Sequence, residues 1–377
     1  MADDVFKKLA QYLDRLPGGY PGTGSGVEIR ILQKLFSPEE ADLALHLTLI
    51  AEEPRVIAYR AGIPLDNVIA CLHEMDRKGL IFSIRNNEGI IRYRIQQFVI
   101  GFWEAQVNRL YPELVEDFEE YLDSFVDLDL WQKAPQLRTI PVEESVSADA
   151  KVLPYERVDA LIRAQKNIVV NNCICRQEMR LIGKGCDRPL ESCFSFGEVA
   201  ERMLGQGRGR EVTHEEALEI LRLAEKNGLV LQTGNSRKVI FLCTCCSCCC
   251  GVLRSFKKDP EPGIRLSSPF IMNLSTDTCT GCGMCEDRCP MDAIRLEDGV
   301  AVMDMKRCIG CGLCVSTCPT NSCKLVRKKK SLQPYIPRNP LETYIRIGQV
   351  SGRMKLGSVL RLQLRSTVDR WKTARRN

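Results

Sequence analysis

Two runs of cysteine repeat one spacing towards the C-terminal end of the sequence: Cys279-x2-Cys282-x2-Cys285-x3-Cys289-Pro290 and Cys308-x2-Cys311-x2-Cys314-x3-Cys318-Pro319. Thiolates are soft ligands, and three of them at two-residue intervals let a tight loop wrap three corners of an iron–sulfur cubane while a fourth sulfur arrives from elsewhere. Gly281, Gly283, Gly310 and Gly312 stand between the cysteines, where the backbone must turn sharply and aim its amides at sulfur. Zinc motifs usually set two cysteine pairs apart by a longer loop, so a doubled three-plus-one run is not their spacing.

The runs resemble the bacterial two-cluster ferredoxin module over about 269–327, a sixth of the chain. Asp298-Gly299, flanked by Ala293-Ile294-Arg295-Leu296 and Val300-Ala301-Val302-Met303, is a strong hairpin signal and fits the same pattern. The resemblance implies two 4Fe–4S clusters and electron transfer. It also implies that the last cysteine of each run crosses to the other cluster. Cys279, Cys282, Cys285 and Cys318 would then serve one cluster, and Cys308, Cys311, Cys314 and Cys289 the other. Cys323 lies outside the runs and reads as a small buried apolar residue. The larger chain resembles ferredoxin-like proteins of anaerobes whose function is unassigned.

Ten further cysteines crowd one stretch: Cys173, Cys175, Cys186, Cys193, and then Cys243-Thr244-Cys245-Cys246-Ser247-Cys248-Cys249-Cys250. Strands expected at 168–170 and 239–242 both end at cysteine, so a β pairing would bring the two groups to one edge of a sheet. A third metal site drawn from Cys173, Cys175, Cys186, Cys193, Cys243, Cys245 and Cys246 is expected, with the first four as the better separated set. Iron–sulfur cluster, structural zinc, and a redox-active or inert thiol patch stay open as its chemistry. Cys71 stands alone on a helix and reads as core.

The elements that must hold these groups point to an α+β, multidomain chain. Residues 27–105 read as a winged-helix-like domain. Ser37-Pro38-Glu39-Glu40 opens one helix, 55–61 is a second, 65–78 a third ended by Gly79, and two strands flank Asn86-Asn87-Glu88-Gly89. Residues 106–154 read as an acidic helix from Glu113 to about Leu130 and a linker through Pro135, Pro141 and Pro154. The cysteine-rich α/β domain spans 155–258, with a helix capped at Thr213. A ferredoxin-like module at 265–328 and a basic amphipathic tail at 329–377 complete the chain.

Charge and composition narrow the function. Between Val27 and Ile100 there are nine Lys or Arg against ten Asp or Glu, little basis for the counterion release that drives DNA binding. No nucleic-acid partner is expected. From Lys324 onward fifteen Lys or Arg meet two acids, Glu342 and Asp369. Leu356, Leu360, Leu364, Val368 and Trp371 share a helical face there beside Arg361, Arg365 and Lys372, as in a helix lying on an acidic partner or anionic membrane. The acidic helix at 113–129 is an internal candidate for that partner. No apolar run approaches the ~20 residues of a membrane span, and twenty cysteines without a secretory leader fit a reducing cytoplasm better than a disulfide framework. Three histidines supply imidazole poorly for most catalytic zinc or copper sites. The expected function is electron transfer to redox partner proteins, as a carrier or complex subunit. An iron–sulfur-sensing transcription regulator and an oxidoreductase with a substrate-binding cluster are the alternatives, although no nucleotide loop or catalytic triad supports independent chemistry.

Overall fold

The computed structural model describes residues 2–86, 88–145 and 153–374. It divides into two compact units, one made of 1–125 and 344–377 and the other of 126–343.

In the first unit, helices α1 (Ala2–Asp14) and α2 (Val27–Leu35) precede α3 (Pro38–Ala44), α4 (Pro54–Ala61) and α5 (Leu65–Lys78). Ser37 caps α3 through a complete capping box with Pro38 at the first helical position. Gly79, left-handed at φ 80°, stops α5. Strands β1 (Ile81–Arg85) and β2 (Ile91–Ile95) form an antiparallel hairpin, with Ile81 opposite Ile95. Asn87 of the expected turn lies outside the described residues. The three-helix and hairpin order expected from sequence is therefore present, preceded by two helices.

The acidic helix α6 (Pro112–Phe125) ends earlier than expected, and its acids face α2. Arg30 contacts Asp117 at 3.1 Å and Glu120 at 2.6 Å, while Lys34 reaches Asp117 at 2.6 Å. Behind those pairs, Trp103 stacks on Phe118 at 4.1 Å and Phe98 gathers a ring of aromatic contacts. The internal partner considered for the tail is thus engaged by α2. The C-terminal helix, Leu356–Ala374, packs on α4 instead. Arg60 forks to Glu52 and to Asp369 at 2.8 and 3.0 Å, burying Ser366 and Thr373 nearby. Leu360, Leu364, Val368 and Trp371 consequently face outward.

In the second unit, α7 (Leu128–Lys133) leads to β3 (Leu137–Ile140), a buried strand in what the sequence reads as linker. Residues 146–152 of that linker lie outside the described residues. Then follow α8 (Val158–Arg163), β4 (Ile168–Asn172), α9 (Ile174–Leu181), β5 (Glu191–Phe196), α10 (Glu198–Gly205), β6 (Arg210–Glu211), α11 (His214–Lys226), β7 (Val230–Gly234), β8 (Phe241–Cys245) and α12 (Gly251–Lys258). Six strands form one antiparallel sheet in the order β3-β7-β8-β5-β4-β6. After α13 (Pro262–Arg265), β9 (Phe270–Leu274), α14 (Met284–Asp287), β10 (Ile294–Glu297), β11 (Val300–Met303) and β12 (Cys323–Arg327) make the cysteine-run module. Its two small sheets are β10-β11 and β12-β9. Among the described residues no helix is long and apolar enough to cross a membrane.

Candidate metal centres

Each cysteine run folds as an open loop that closes through a short turn. Gly281 and Gly310 both have φ near +65°, and an added Cβ would strike the carbonyl oxygens of Gly299 and Phe270 respectively. Only glycine satisfies both the left-handed backbone and that approach. The loops enclose two separate cavities. One is lined by Cys279, Cys282, Cys285 and Cys318, the other by Cys308, Cys311, Cys314 and Cys289. Of the run cysteines in each cavity, three come from one run and the fourth from the other. Met272, Ile294 and Ile309 line the second cavity, and the Ala293 amide donates to Cys289 Sγ at 3.2 Å.

These walls suit an iron–sulfur cubane, with four convergent sulfurs, an amide directed at sulfur and an apolar shell. Burial pushes the Cys285 thiol up to about 11 and raises those of Cys289, Cys308 and Cys311. Such thiols stay protonated at neutral pH unless a metal replaces the proton. The first cavity lies nearer solvent, since Cys282 is exposed while Cys311 and Cys314 are buried.

Residues 271–319 match the family model described as a 4Fe-4S dicluster domain. Over 36 residues, 9% of the chain, the sequence is 47% identical to a probable ferredoxin of Methanosarcina thermophila, and the match spans 62% of that protein. The larger chain holds a ferredoxin-like 4Fe–4S domain. No solved structure matches the chain.

Beside the run cysteines, Cys323 is buried, lines the first cavity as a further thiol and touches Cys314 of the second. Hydrogen bonds from Cys314, and then from Cys318 and Cys285, outweigh burial and bring its thiol down to about 7. It touches a thiol from each cavity, a placement its position beyond the run does not disclose. Cys71 is half-buried on α5, and burial raises its thiol to about 11.

The other ten cysteines form two groups. In the antiparallel register Phe194 faces Leu242, which sets Cys193 of β5 beside Cys243 of β8. Cys245 follows two residues later on the same sheet face. Cys173 caps α9, Cys175 lies in its first turn, and Cys250 caps α12. These six thiols close a ring. Cys173 meets Cys175 and Cys193, Cys250 meets Cys175 and Cys245, and Cys243 meets Cys193 and Cys245. Hydrogen bonds within the ring lower Cys173, Cys243 and Cys250, Cys243 to about 5, and raise Cys175, Cys193 and Cys245. Two helix N-termini meet at the ring, favouring thiolate there.

Cys186, Cys246, Cys248 and Cys249 make the second group, with all four sulfurs within 4.8 Å of one another. Burial would raise Cys186, but the Arg188 amide and the neighbouring thiols prevail and bring it to about 7. Of the seven residues expected from sequence, Cys173, Cys175, Cys193, Cys243 and Cys245 join the ring, whereas Cys186 and Cys246 belong elsewhere. The better separated set of four is therefore split by the fold. Cys248, Cys249 and Cys250 were not expected as site residues. Strand alternation was the available signal, because Cys243 and Cys245 must face away from Cys246.

Proposed function

We propose that this chain is an iron–sulfur electron-transfer protein, or the electron-carrying subunit of a redox complex, with two 4Fe–4S clusters in the ferredoxin-like domain. The reading rests chiefly on the two cysteine-lined cavities, each taking three cysteines from one run and one from the other. Cys279, Cys282, Cys285 and Cys318 are assigned to one cluster, and Cys308, Cys311, Cys314 and Cys289 to the second. When bound, such clusters accept and release single electrons. The chain supplies thiolates, directs the Ala293 amide at sulfur and excludes water with apolar side chains, the features that tune potential. Exposed Cys282 and Met284 mark the side from which a redox protein would approach.

The six-thiol ring is read as a third iron–sulfur centre, because six sulfurs exceed the four that one tetrahedral ion takes. The α3–α5 and hairpin region is read as a winged helix serving protein contact or structure. Anaerobically purified full chain is expected to hold at least about eight irons and as many acid-labile sulfides. Zinc without labile sulfide would end the ferredoxin-like reading. Cys311→Ala should disturb both clusters, since each run feeds both cavities, and a variant that keeps both intact would overturn the crossed assignment. Iron and sulfide beyond the eight, lost when Cys173 and Cys175 become Ser, would support the third centre.

A further inference from the structure

We infer that Cys186, Cys246, Cys248 and Cys249 form a separate site for a single tetrahedral zinc ion, a structural staple distinct from every iron–sulfur centre of the chain. The sulfur spacing carries the argument. Cys186 and Cys249 approach to 3.6 Å, Cys248 and Cys249 to 3.8 Å, and Cys186 and Cys246 to 3.9 Å. Zinc–sulfur bonds of about 2.3 Å in a regular tetrahedron place neighbouring sulfurs about 3.8 Å apart. A cubane would hold its four thiolates much farther apart, because four irons and four sulfides must fit between them. That spacing leaves room for one ion.

Charge and surroundings agree. Four thiolates around a divalent ion leave two negative charges, and two guanidiniums stand against them. Arg188 Nη1 donates to Cys248 Sγ at 3.3 Å, and Arg176 Nη1 lies 3.8 Å from Cys246 Sγ. Arg176 is fully buried and held by the Thr244 carbonyl at 2.9 Å and by Ser192. A buried guanidinium needs anions near it, and this one faces Cys246 of the site as well as Cys173 and Cys193 of the ring. Met179, Ala224 and Leu229 pack over Cys246 and Cys249 and keep water from that side.

The position suits a staple. Cys186 comes from the irregular segment between α9 and β5, while the other three come from the turn between β8 and α12. Arg180 braces that segment by donating to the Cys186 and Arg188 carbonyls at 3.0 Å. A metal there would tie the loop entering β5 to the turn leaving β8, beyond the end of their pairing, and it would hold the turn from which Cys245 and Cys250 enter the ring.

The test uses the full chain, purified anaerobically from cells supplied with both iron and zinc. A single zinc per chain is expected in addition to iron, with X-ray absorption at the zinc edge showing four sulfurs at about 2.3 Å and no lighter ligand. Cys248→Ser should lose the zinc while the iron and labile sulfide of the ferredoxin-like domain stay, and Arg188→Met should weaken zinc affinity about tenfold to a hundredfold. A chain without zinc, or with nitrogen or oxygen at zinc, overturns the inference. So does zinc kept by Cys248→Ser but lost by Cys193→Ser, which would put the ion in the ring. If Cys248→Ser fails to fold, the absorption measurement on the unaltered chain decides alone. Because zinc and iron are counted separately, failure here leaves the electron-transfer reading standing.

Discussion

Gly281 and Gly310 do as much for the ferredoxin-like domain as the cysteines they separate. Each has a left-handed backbone, and each lies where a Cβ would meet a carbonyl oxygen that cannot retreat without moving its strand or turn. Gly281→Ala or Gly310→Ala is therefore expected to strip iron from the domain, since a strain of about 1–3 kcal/mol from the backbone alone adds to a steric clash. Gly299→Ala is the control. Its φ of 76° is also left-handed, but open space surrounds the position, so only about 1–2 kcal/mol should be lost. Iron content and melting temperature of the three variants check this, and equal iron loss in all three would refute the steric account. The same contrast explains what could be read from sequence. The eight run cysteines are legible because their spacing is local and the loop geometry follows from it. The other ten are not, because their grouping depends on strand register: Cys193 and Cys243 are fifty positions apart and become neighbours only when β5 pairs with β8.

At the scale of elements, the C-terminal helix shows why an apolar stripe does not always choose the buried face. Hydrophobic spacing directs attention to Leu360, Leu364, Val368 and Trp371, yet the contact with α4 is made by the opposite side through Asp369 and Arg60. Arg60 also donates to the His46 carbonyl at 2.6 Å, so one guanidinium joins α4, the loop before it and the C-terminal helix. Burial would raise the Glu52 carboxyl, but hydrogen bonds from Arg60 and Thr48 prevail and hold it below its ordinary value of 4.5. A carboxyl lowered in the folded state contributes stability that is fully present above its unfolded pKa and disappears as pH falls through the folded one. This unit should accordingly lose stability below about pH 4.5. Arg60→Ala, which leaves Glu52 buried without its cation, should cost about 3–5 kcal/mol. Asp369→Asn should cost about 1–2 kcal/mol and expose residues 351–355 to protease. Urea unfolding at pH 7 and pH 4 measures both effects. A pH-independent difference between Arg60→Ala and the unaltered chain would show that the ion pair is not the anchor.

Across the whole molecule, charge is divided rather than spread, and that division bears on whether the helix and hairpin region can read DNA. The chain carries a net +5, while the segment from Lys324 onward has fifteen basic residues against two acids, so everything before it is net acidic. In the helix and hairpin region, the cations that DNA phosphates would need are already engaged. Lys78 pairs with Glu40 at 2.8 Å, Arg77 with Glu74 at 2.6 Å and Arg92 with Glu53 at 3.4 Å, while Arg94 lies 4.5 Å over the Phe82 ring. Releasing them to bind phosphate would break contacts that the fold uses. The basic excess of the tail can attract any polyanion, but such attraction carries no sequence information. The full chain should therefore bind duplex DNA only in the non-specific range, with a Kd of about 10⁻⁴–10⁻⁶ M at physiological salt, and should lose most of that binding as salt rises. Fluorescence anisotropy with labelled duplexes of unrelated sequence, from low to high salt, measures both quantities. Random and selected sequences should give the same curve, and truncation before Leu356 should flatten the salt dependence, since Arg361, Arg365, Arg370 and Lys372 leave with the helix. Submicromolar binding that prefers one sequence and survives the truncation would instead make the helix and hairpin region a reader of DNA, and the iron–sulfur domain its sensor.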